Sequence, residues 1–267
     1  MFISLEDAKI FTVAFGPTNA PPVLGIGGWI GSWELWAGPF SFLSADWRVI
    51  VYDHRGSGAT DASLESITLD RLVEDVIAVM DHFQVENCVL AAESAGALVA
   101  ISTAIRYPQR IRGLVLVDGY YFNPTPENQD PFLAGLRAHY PQTIEAFVQA
   151  CIPENDCEHI KRWGRQILQR ASPEAALALY RLTIGVDLRP ALSSLEQSTL
   201  LIHGEADPLV PLQAAQWLAN RLPHAELVVL NGAGHVPTMT RPKEVAHAMD
   251  QFLKRIHPDG TQSTTTI

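Results

Sequence analysis

Three side chains that together could activate a nucleophile occur in three short loops rich in glycine and alanine. Ser94 lies in the segment AESAG, Asp207 in GEADP, and His235 in GAGH. A serine hydroxyl is a poor nucleophile unless an imidazole takes its proton during attack. An aspartate can orient that imidazole and stabilise its protonated form. These residue types therefore predict nucleophilic catalysis by a serine.

The segment around Ser94 has the composition of a sharp turn between a strand and a helix. The apolar run 87–91 before it predicts a buried strand, and the small and aliphatic residues 97–105 after it predict a buried helix. At such a turn the serine backbone is strained, its hydroxyl stands clear of the sheet, and its neighbours must be small. Ala92 and Gly96 meet that requirement. The alternative interpretation is that Ser94 only caps the helix that follows.

Strand-like and helix-like segments alternate along the chain. One helical period has its apolar face between Leu69 and Met80 with Thr68 as N-cap, and another runs from Val245 to Leu253 with Pro242 in its first turn. Alternation of this kind predicts an α/β fold, with a mostly parallel sheet and helices on both faces. The predicted buried strands are 23–26, 49–52, 89–91, 114–117, 199–202 and 227–230.

The alternation stops after Asp118. Residues 120–192 lack a strand signal and predict several short helices, which would form a cap above the sheet or, alternatively, a separate small domain. The predicted core is then 1–119 together with 193–257. The polar, threonine-rich segment 258–267 predicts a disordered tail.

The three candidate catalytic loops each follow a predicted strand. Loops after parallel strands gather at one edge of the sheet, so Ser94, Asp207 and His235 are expected to converge there. Their order, together with the segment DHRGSG at 53–58, resembles the α/β-hydrolase superfamily over residues 10–256. The resemblance implies an eight-stranded type of sheet, an inserted helical cap, and a catalytic triad made by these three residues.

The resemblance also identifies donors for the oxyanion of a tetrahedral intermediate. These are the backbone N–H groups of Trp29 and Ala95. Gly27 stands where relatives usually carry histidine, so the support of this loop must come from elsewhere. A serine at position 94 excludes the dehalogenase and epoxide-hydrolase branches, which need an aspartate there. The glycine-proline loop of prolyl aminopeptidases is also missing.

Several acidic residues compete for roles at the site. Asp207 is preferred as the triad acid over Glu205, which would point elsewhere in the turn. Asp118 is the other competitor, because it follows a predicted strand after which some superfamily members place their acid. Glu93, beside the nucleophile, could either anchor the turn or be exposed.

The chemistry expected of this site is hydrolysis of a small, mostly neutral carboxylic ester or lactone without a cofactor or metal. A capped pocket with apolar walls and no cluster of cations favours such substrates over lipids, polymers and phosphorylated compounds. The same triad could cleave carbon–carbon bonds in diketones. A ligand receptor, a lyase or a cofactor-independent oxygenase could also retain it. The predicted pocket residues are Gly28, Trp29, Trp33, Tyr121, Phe122, Phe132 and Val236.

Composition limits the partners of the chain. It has 267 residues and a formal net charge of −10, which argues against binding to nucleic acid or an anionic membrane. No apolar run approaches the ~20 residues of a membrane span, and no signal segment begins the chain. Three cysteines give no disulfide framework, so we expect a cytoplasmic protein. Formation of a homodimer is left open.

Overall fold

The computed structural model describes residues 1–258, so all of the predicted tail except Pro258 lies outside the described residues. Within residues 1–258 the chain forms nine strands and ten α-helices. The strands are β1 (Phe2–Ser4), β2 (Ala8–Phe15), β3 (Pro22–Ile26), β4 (Arg48–Tyr52), β5 (Asp61–Ala62), β6 (Cys88–Glu93), β7 (Ile111–Val117), β8 (Ser198–Gly204) and β9 (Ala225–Leu230). The helices are α1 (Ala37–Leu43), α2 (Leu69–His82), α3 (Gly96–Arg106), α4 (Pro131–Ala138), α5 (Tyr140–Cys151), α6 (Glu158–Leu168), α7 (Pro173–Arg181), α8 (Leu212–Ala219), α9 (Pro237–Thr240) and α10 (Pro242–Ile256).

All strands belong to one sheet with the order β1-β2-β4-β3-β6-β7-β8-β9, and β5 pairs with β2. The pairs from β4 through β9 are parallel, and β2 is antiparallel to its neighbours. The predicted mostly parallel α/β sheet is therefore confirmed. The sheet has nine strands rather than eight, because the two-residue β5 adds to the edge.

The six strands predicted from apolar runs correspond to the parallel part of the sheet. Strand β6, at its centre, is buried along all six residues. Its side chains alternate between two cores: Leu90 packs with helices α2 and α3, and Val89 packs with α1 and α10 on the opposite face. Burial on both faces explains why this strand reads as a continuous apolar run.

Helix boundaries follow the capping signals of the sequence. The Thr68 side chain accepts a hydrogen bond of 3.2 Å from the Arg71 N–H at the start of α2. Pro242 is the first residue of α10, as expected. Among residues 1–258, none of the helices combines the length and the apolar character that a bilayer crossing requires.

Helices α4 to α7 form an insert between β7 and β8, in agreement with the predicted helical cap. The bounds 120–192 stay a prediction. Trp29, in the core, packs against this insert. Its ring makes edge-to-face contacts with Phe132, Phe147 and Tyr180, at centroid distances of 5.2, 5.3 and 6.0 Å. The Trp29 indole N–H also donates to the Ala176 carbonyl at 2.8 Å.

A polar contact at Glu34 also holds the insert to the core. The Glu34 carboxylate accepts a hydrogen bond of 3.1 Å from the Trp163 indole and pairs with the Arg170 guanidinium. Burial raises the pKa of Glu34, but its bonds from Arg170, Trp163 and Ser32 outweigh that effect and leave the pKa below its usual value. Glu34 is therefore ionised at neutral pH and ties α6 and the turn after it to the core.

Candidate active site

Ser94 occupies a strained turn between β6 and α3. Its φ is 50°, in the left-handed region that residues other than glycine rarely adopt. The turn is held because the Ser94 N–H donates to the Val117 carbonyl at 2.9 Å. Gly96 is required by close packing, since a Cβ there would lie 2.6 Å from the Gly27 carbonyl oxygen. The geometry lifts the Ser94 hydroxyl to the carboxyl edge of the sheet, as expected of a nucleophile turn.

The structure brings Ser94, His235 and Asp207 into one hydrogen-bonded chain. Ser94 Oγ lies 2.8 Å from His235 Nε2, and His235 Nδ1 lies 2.7 Å from Asp207 Oδ2. An ionised carboxylate only accepts, so Nδ1 carries the proton and donates to Asp207. Nε2 is then free to accept the proton of the Ser94 hydroxyl. The backbone N–H of His235 donates to the Cys151 carbonyl of the insert at 2.9 Å, which fixes the histidine loop from above.

Asp207 is held as a carboxylate by a turn after β8. Its Oδ1 accepts hydrogen bonds from the N–H groups of Leu209 and Val210, at 2.8 and 3.1 Å. Burial raises the pKa of Asp207, but the hydrogen bond and charge of His235, together with these N–H groups, lower it more. The net pKa is below the usual value, so Asp207 is ionised wherever His235 could act as a base.

Asp118 and His203 lie behind Asp207. The Asp118 Oδ1 accepts the Gly204 N–H at 2.9 Å and lies 3.4 Å from His203 Nδ1, while His203 Nε2 donates to the Val210 carbonyl at 2.9 Å. Burial and the neighbouring Asp207 charge raise the pKa of Asp118 well above its usual value. Burial lowers the pKa of His203. Both groups are therefore neutral, and the only charged acid facing His235 in this group is Asp207.

The loop that carries Trp29 passes close over the nucleophile. A Cβ at Gly28 would lie 3.2 Å from the Ser94 Cβ, so glycine relieves a tight contact where the loop approaches the nucleophile. His54 supports the loop that lacks the family's usual histidine at position 27, because its Nε2 lies 3.0 Å from the Gly28 carbonyl oxygen. In the part of the chain that the structure describes, the N–H groups of Trp29 and Ala95 donate to no protein acceptor. Both are therefore available to an oxyanion.

The DHRGSG segment, residues 53–58, holds the loop over Ser94 in place and is not itself part of the catalytic group. Asp53 accepts the Trp33 N–H at 2.7 Å and the Ala59 N–H at 2.8 Å. Arg55 is buried and pairs with Asp75 at 2.7 Å, which joins the segment to α2. The segment therefore fixes the loop that carries Trp29 and leads into Trp33.

Two cavities meet at Ser94 and His235. The larger encloses about 190 Å³ between the sheet edge and the insert, and the smaller about 60 Å³ beneath Trp29. Trp29 and Phe147 line both. The larger cavity is also lined by Ala95, Tyr120, Phe132, Tyr180, Thr183, Leu209 and Val210, and the smaller by Gly28, Ile30, Gly31, Leu35, Glu93, Val148, Cys151, Ile152, Gly164, Leu168, Val236 and Met239.

Three of the predicted pocket residues, Trp33, Tyr121 and Phe122, line neither cavity. Trp33 instead packs beside Phe15, at a centroid distance of 6.4 Å. Tyr121 donates its hydroxyl to the Ala214 carbonyl at 2.8 Å. Phe122 lies under the Arg189 guanidinium at 3.5 Å. Tyr121 and Phe122 thus fasten the start of the insert to α8 and to the insert's own end.

The sequence interpretation missed most of the cavity walls. Phe147 and Tyr180 lie on α5 and α7, whose aromatic residues show no stripe that would reveal which ones face the nucleophile. Met239, on the short helix α9, and Cys151, the last residue of α5, are brought beside Ser94 only by the tertiary structure. Gly28, Trp29, Phe132 and Val236 do line the cavities.

Glu93 is neither exposed nor an anchor of the turn. Its side chain is 1 % exposed and lines the smaller cavity, and neither carboxyl oxygen has a hydrogen-bond partner in the described structure. Burial raises the pKa of Glu93 to about 8, against the weaker opposing influence of the nearby Thr238 hydroxyl. At neutral pH the carboxyl is therefore mostly protonated.

We expect this burial to appear as a pH dependence of stability. In the unfolded chain Glu93 ionises near 4.5, whereas in the folded protein it ionises near 8. The unfolded state therefore binds fewer protons between these values, and the stability contribution present below pH 4.5 is lost as pH rises to 8. Relative to Glu93→Gln, the wild-type free energy of unfolding should fall by about 4 kcal/mol from pH 5 to pH 8.

Urea unfolding of both proteins at several pH values measures this difference. Both proteins contain Asp118 and Asp207, so the contributions of these two residues cancel in the difference between the two free energies of unfolding. If the free energies of unfolding of the two proteins change in parallel from pH 5 to pH 8, the burial of a neutral Glu93 is contradicted.

Two family models match successive parts of the chain. Residues 21–184, more than half of the chain, match a family model described as the alpha/beta hydrolase fold. Residues 186–264 match a second model, described as TAP-like protein. The two matches cover strands β3 to β9, helices α4 to α7 of the insert, and all three residues of the Ser94 hydrogen-bonded chain.

Individual relatives are similar over nearly their whole length. The chain is 29 % identical over 248 residues to a putative carbamate hydrolase RutD of Pseudomonas syringae, with 88 % of this chain and 94 % of the relative covered. It is 29 % identical over 246 residues to a pimeloyl-[acyl-carrier protein] methyl ester esterase of Nitrosomonas europaea, covering 87 % and 95 %. The enol-lactonase structure from Burkholderia xenovorans has a TM-score of 0.88 at 22 % identity, covering 95 % and 100 %.

Proposed function

This chain belongs to the alpha/beta hydrolase family, and from that premise we propose that it cleaves a small, largely neutral carboxylic ester or lactone through Ser94, His235 and Asp207. It is an enzyme of the esterase-type hydrolases. One observation carries the finer proposal. The Ser94 hydroxyl lies 2.8 Å from the imidazole of His235, which in turn lies 2.7 Å from a buried carboxylate, at the point where two apolar cavities meet.

The first half of the reaction forms an acyl-enzyme. Ser94 Oγ attacks the ester carbonyl carbon while His235 Nε2 takes the hydroxyl proton. The carbonyl oxygen becomes an oxyanion, which the N–H groups of Trp29 and Ala95 stabilise. When the tetrahedral intermediate collapses, the bond to the alkoxy oxygen breaks and His235 returns the proton to the departing alcohol. Asp207 stabilises the transient imidazolium throughout.

The second half repeats these steps with water. His235 takes one proton from a water molecule as its oxygen attacks the acyl carbon bound to Ser94. Collapse of the second intermediate breaks the bond to Ser94 Oγ, and the proton passes from His235 to the serine. The carboxylic acid leaves, and the enzyme regains its starting protonation state. In a lactone the alcohol and the acid belong to one product.

The cavity walls support the substrate class. Among the described residues that line the two cavities, none is lysine or arginine, so a highly charged substrate would be desolvated without a counter-charge. Together the cavities enclose a few hundred Å³ at most, and aromatic side chains of the insert bound them. Compact acyl and alcohol groups fit this space better than long lipid chains.

A second candidate function is carbamate hydrolysis. The observation that favours it is the name of several relatives, putative carbamate hydrolases at 25 to 29 % identity. A carbamate carbonyl can be attacked by Ser94 in the same way, although the adjacent nitrogen makes it a weaker electrophile. The two candidates share the site and differ only in the group beside the carbonyl.

A substrate panel tests the proposal. We expect the wild-type protein to cleave phenyl esters of two- to five-carbon acids and small lactones, and to leave long-chain triglycerides intact, because the cavities are small and partly covered by the insert. Phenyl carbamates and a vinylogous diketone complete the panel. Product formation is followed by absorbance or by titration of released acid.

The matched control for this panel is Ser94→Ala, which retains the cavities and loses the nucleophile. Efficient triglyceride cleavage, or cleavage of the diketone alone, would contradict the proposed substrate class. Tight binding of an ester without turnover by the wild-type protein would indicate a receptor instead of a hydrolase.

A further inference from the structure

The peptide group that joins Gly28 to Trp29 carries one of the two oxyanion donors. Its N–H belongs to Trp29 and its carbonyl to Gly28, and the bond is trans, like the other peptide bonds within residues 1–258. In a trans peptide group the C=O and the N–H point in opposite directions. A partner that fixes the Gly28 carbonyl therefore also fixes the direction of the Trp29 N–H.

Two donors reach that carbonyl. The Gly31 N–H donates to it at 3.0 Å, and His54 Nε2 lies 3.0 Å from it. A carbonyl oxygen has two lone pairs, so both are then used. Gly28 lacks a Cβ, and rotation about its backbone bonds is less restricted than in other residues. A second hydrogen bond is therefore needed to keep this peptide group from turning its N–H away from the oxyanion.

His54 is itself held rigidly. It is 5 % exposed, and the N–H and the hydroxyl of Ser57 both donate to its carbonyl at 3.0 Å. Its neighbours in the chain are anchored as well, because Asp53 accepts two backbone N–H groups and Arg55 pairs with Asp75. A group that is locked in this way can hold a second group in a defined geometry.

The His54 ring has a carbonyl oxygen beside each of its nitrogens. Nε2 faces Gly28, and Nδ1 lies 3.1 Å from the Arg55 carbonyl oxygen. A carbonyl oxygen only accepts, so a neutral ring, with one N–H, satisfies one of the two. A proton on Nε2 holds the loop over Ser94, whereas a proton on Nδ1 holds only the segment to which His54 belongs.

We propose that His54 is a positioning residue for the reaction, whose Nε2–H donates to the Gly28 carbonyl and so aims the Trp29 N–H at the oxyanion. The same bond polarises the peptide group, which makes its N–H a stronger donor. The effect is largest when negative charge develops on the substrate oxygen, because the Trp29 N–H is used fully only then. This inference rests on the proposed ester hydrolysis and adds a residue that acts on it through the backbone.

Three replacements of His54 separate the roles of its two nitrogens. Glutamine places an amide N–H near the position of Nε2, asparagine places one near Nδ1, and leucine donates from neither. A cavity of about 30 Å³ is lined by His54 and leaves room for these side chains. His257→Leu is the matched control, because it replaces another buried histidine, which packs on Trp47 and lines neither cavity at Ser94.

On phenyl acetate we expect His54→Leu and His54→Asn to lower kcat by about 10- to 100-fold, since a misplacement of about 1 Å can cost on the order of 100-fold. KM should stay nearly constant, because acylation and deacylation both pass through an oxyanion and slow together. His54→Gln should retain most of kcat, and His257→Leu all of it.

An oxyanion analogue gives a second readout. When Ser94 Oγ attacks propyl trifluoromethyl ketone, a C–O bond forms, the carbonyl electron pair moves onto its oxygen, and the serine proton passes to His235. The adduct keeps the oxyanion and has no leaving group. Its dissociation constant, measured by fluorine NMR, should rise in His54→Leu by about the factor by which kcat/KM falls. A side chain that only fills space would not produce this correlation.

The comparison of glutamine with asparagine decides the inference even if His54→Leu fails to fold, which circular dichroism checks. Equal kcat values in His54→Gln and His54→Asn, or a larger loss in His54→Gln, would overturn it. A loss of kcat without weaker binding of the ketone, or an equal loss in His257→Leu, would overturn it as well. If the wild-type protein does not cleave phenyl acetate, the proposed function fails instead, and ketone binding to the variants still tests the bond to Gly28.

Discussion

The variant Ser94→Ala is expected to lose ester turnover by on the order of 10⁶-fold, the size of effect that follows removal of a nucleophile that acts as a unit with its base. The change deletes only the hydroxyl that lies 2.8 Å from His235 Nε2. The remaining N–H groups of Trp29 and Ala95 cannot form a covalent intermediate by themselves. The check is kcat/KM on phenyl acetate, measured against the wild-type protein.

Alanine is suited to position 94 because it keeps the Cβ that the turn accommodates and removes only the hydroxyl. The Ser94 Cβ already lies near Gly28, and the φ of 50° strains serine and alanine alike. The variant should therefore keep the wild-type circular dichroism spectrum and a similar Tm. A folded variant that retains more than about one per cent of wild-type kcat/KM, an order-of-magnitude limit, would mean that Ser94 only caps α3.

The sequence could identify the parallel strands and the turn residues because both depend on local patterns. Burial on two faces produces an apolar run, and a nucleophile turn needs small residues at Ala92 and Gly96. The edge strands β1, β2 and β5 were not predicted. Strand β2 is only partly buried, and β1 and β5 are three and two residues long, which is too short to show a pattern.

The cavity walls could not be predicted, because they depend on how the insert folds back over the sheet. Tyr121 and Phe122 are adjacent to the end of β7 and aromatic, yet contacts with Ala214 and Arg189 turn them away from Ser94. The replacement of the family's usual histidine at Gly27 is explained only in three dimensions, by His54 under the Gly28 carbonyl. Glu93 carries no sequence signal for burial, since a carboxylate is ordinarily exposed.

Asp207→Asn tests the assignment of the acid, with Asp118→Asn as its matched control. Asp207 Oδ1 accepts two backbone N–H groups, so an asparagine would place its carbonyl oxygen there and turn its NH₂ group toward His235 Nδ1. The imidazole would then carry its proton on Nε2, facing Ser94, and could not accept the serine proton. We expect kcat/KM to fall about 10⁴-fold, as when a triad aspartate is replaced by its amide.

Asp118→Asn makes the same change, from carboxyl to amide, in the same buried group of side chains. A much smaller effect on kcat/KM is expected. Asp118 is already neutral, its Oδ1 accepts the Gly204 N–H as an amide oxygen can, and asparagine tolerates its φ of 47°. We expect kcat/KM to change by less than about tenfold, because the charge that faces His235 is unaltered. The two kcat/KM values, measured at one pH on the same ester, decide the assignment: a larger loss in Asp118→Asn would make Asp118 the acid that His235 depends on and Asp207 a residue of the turn.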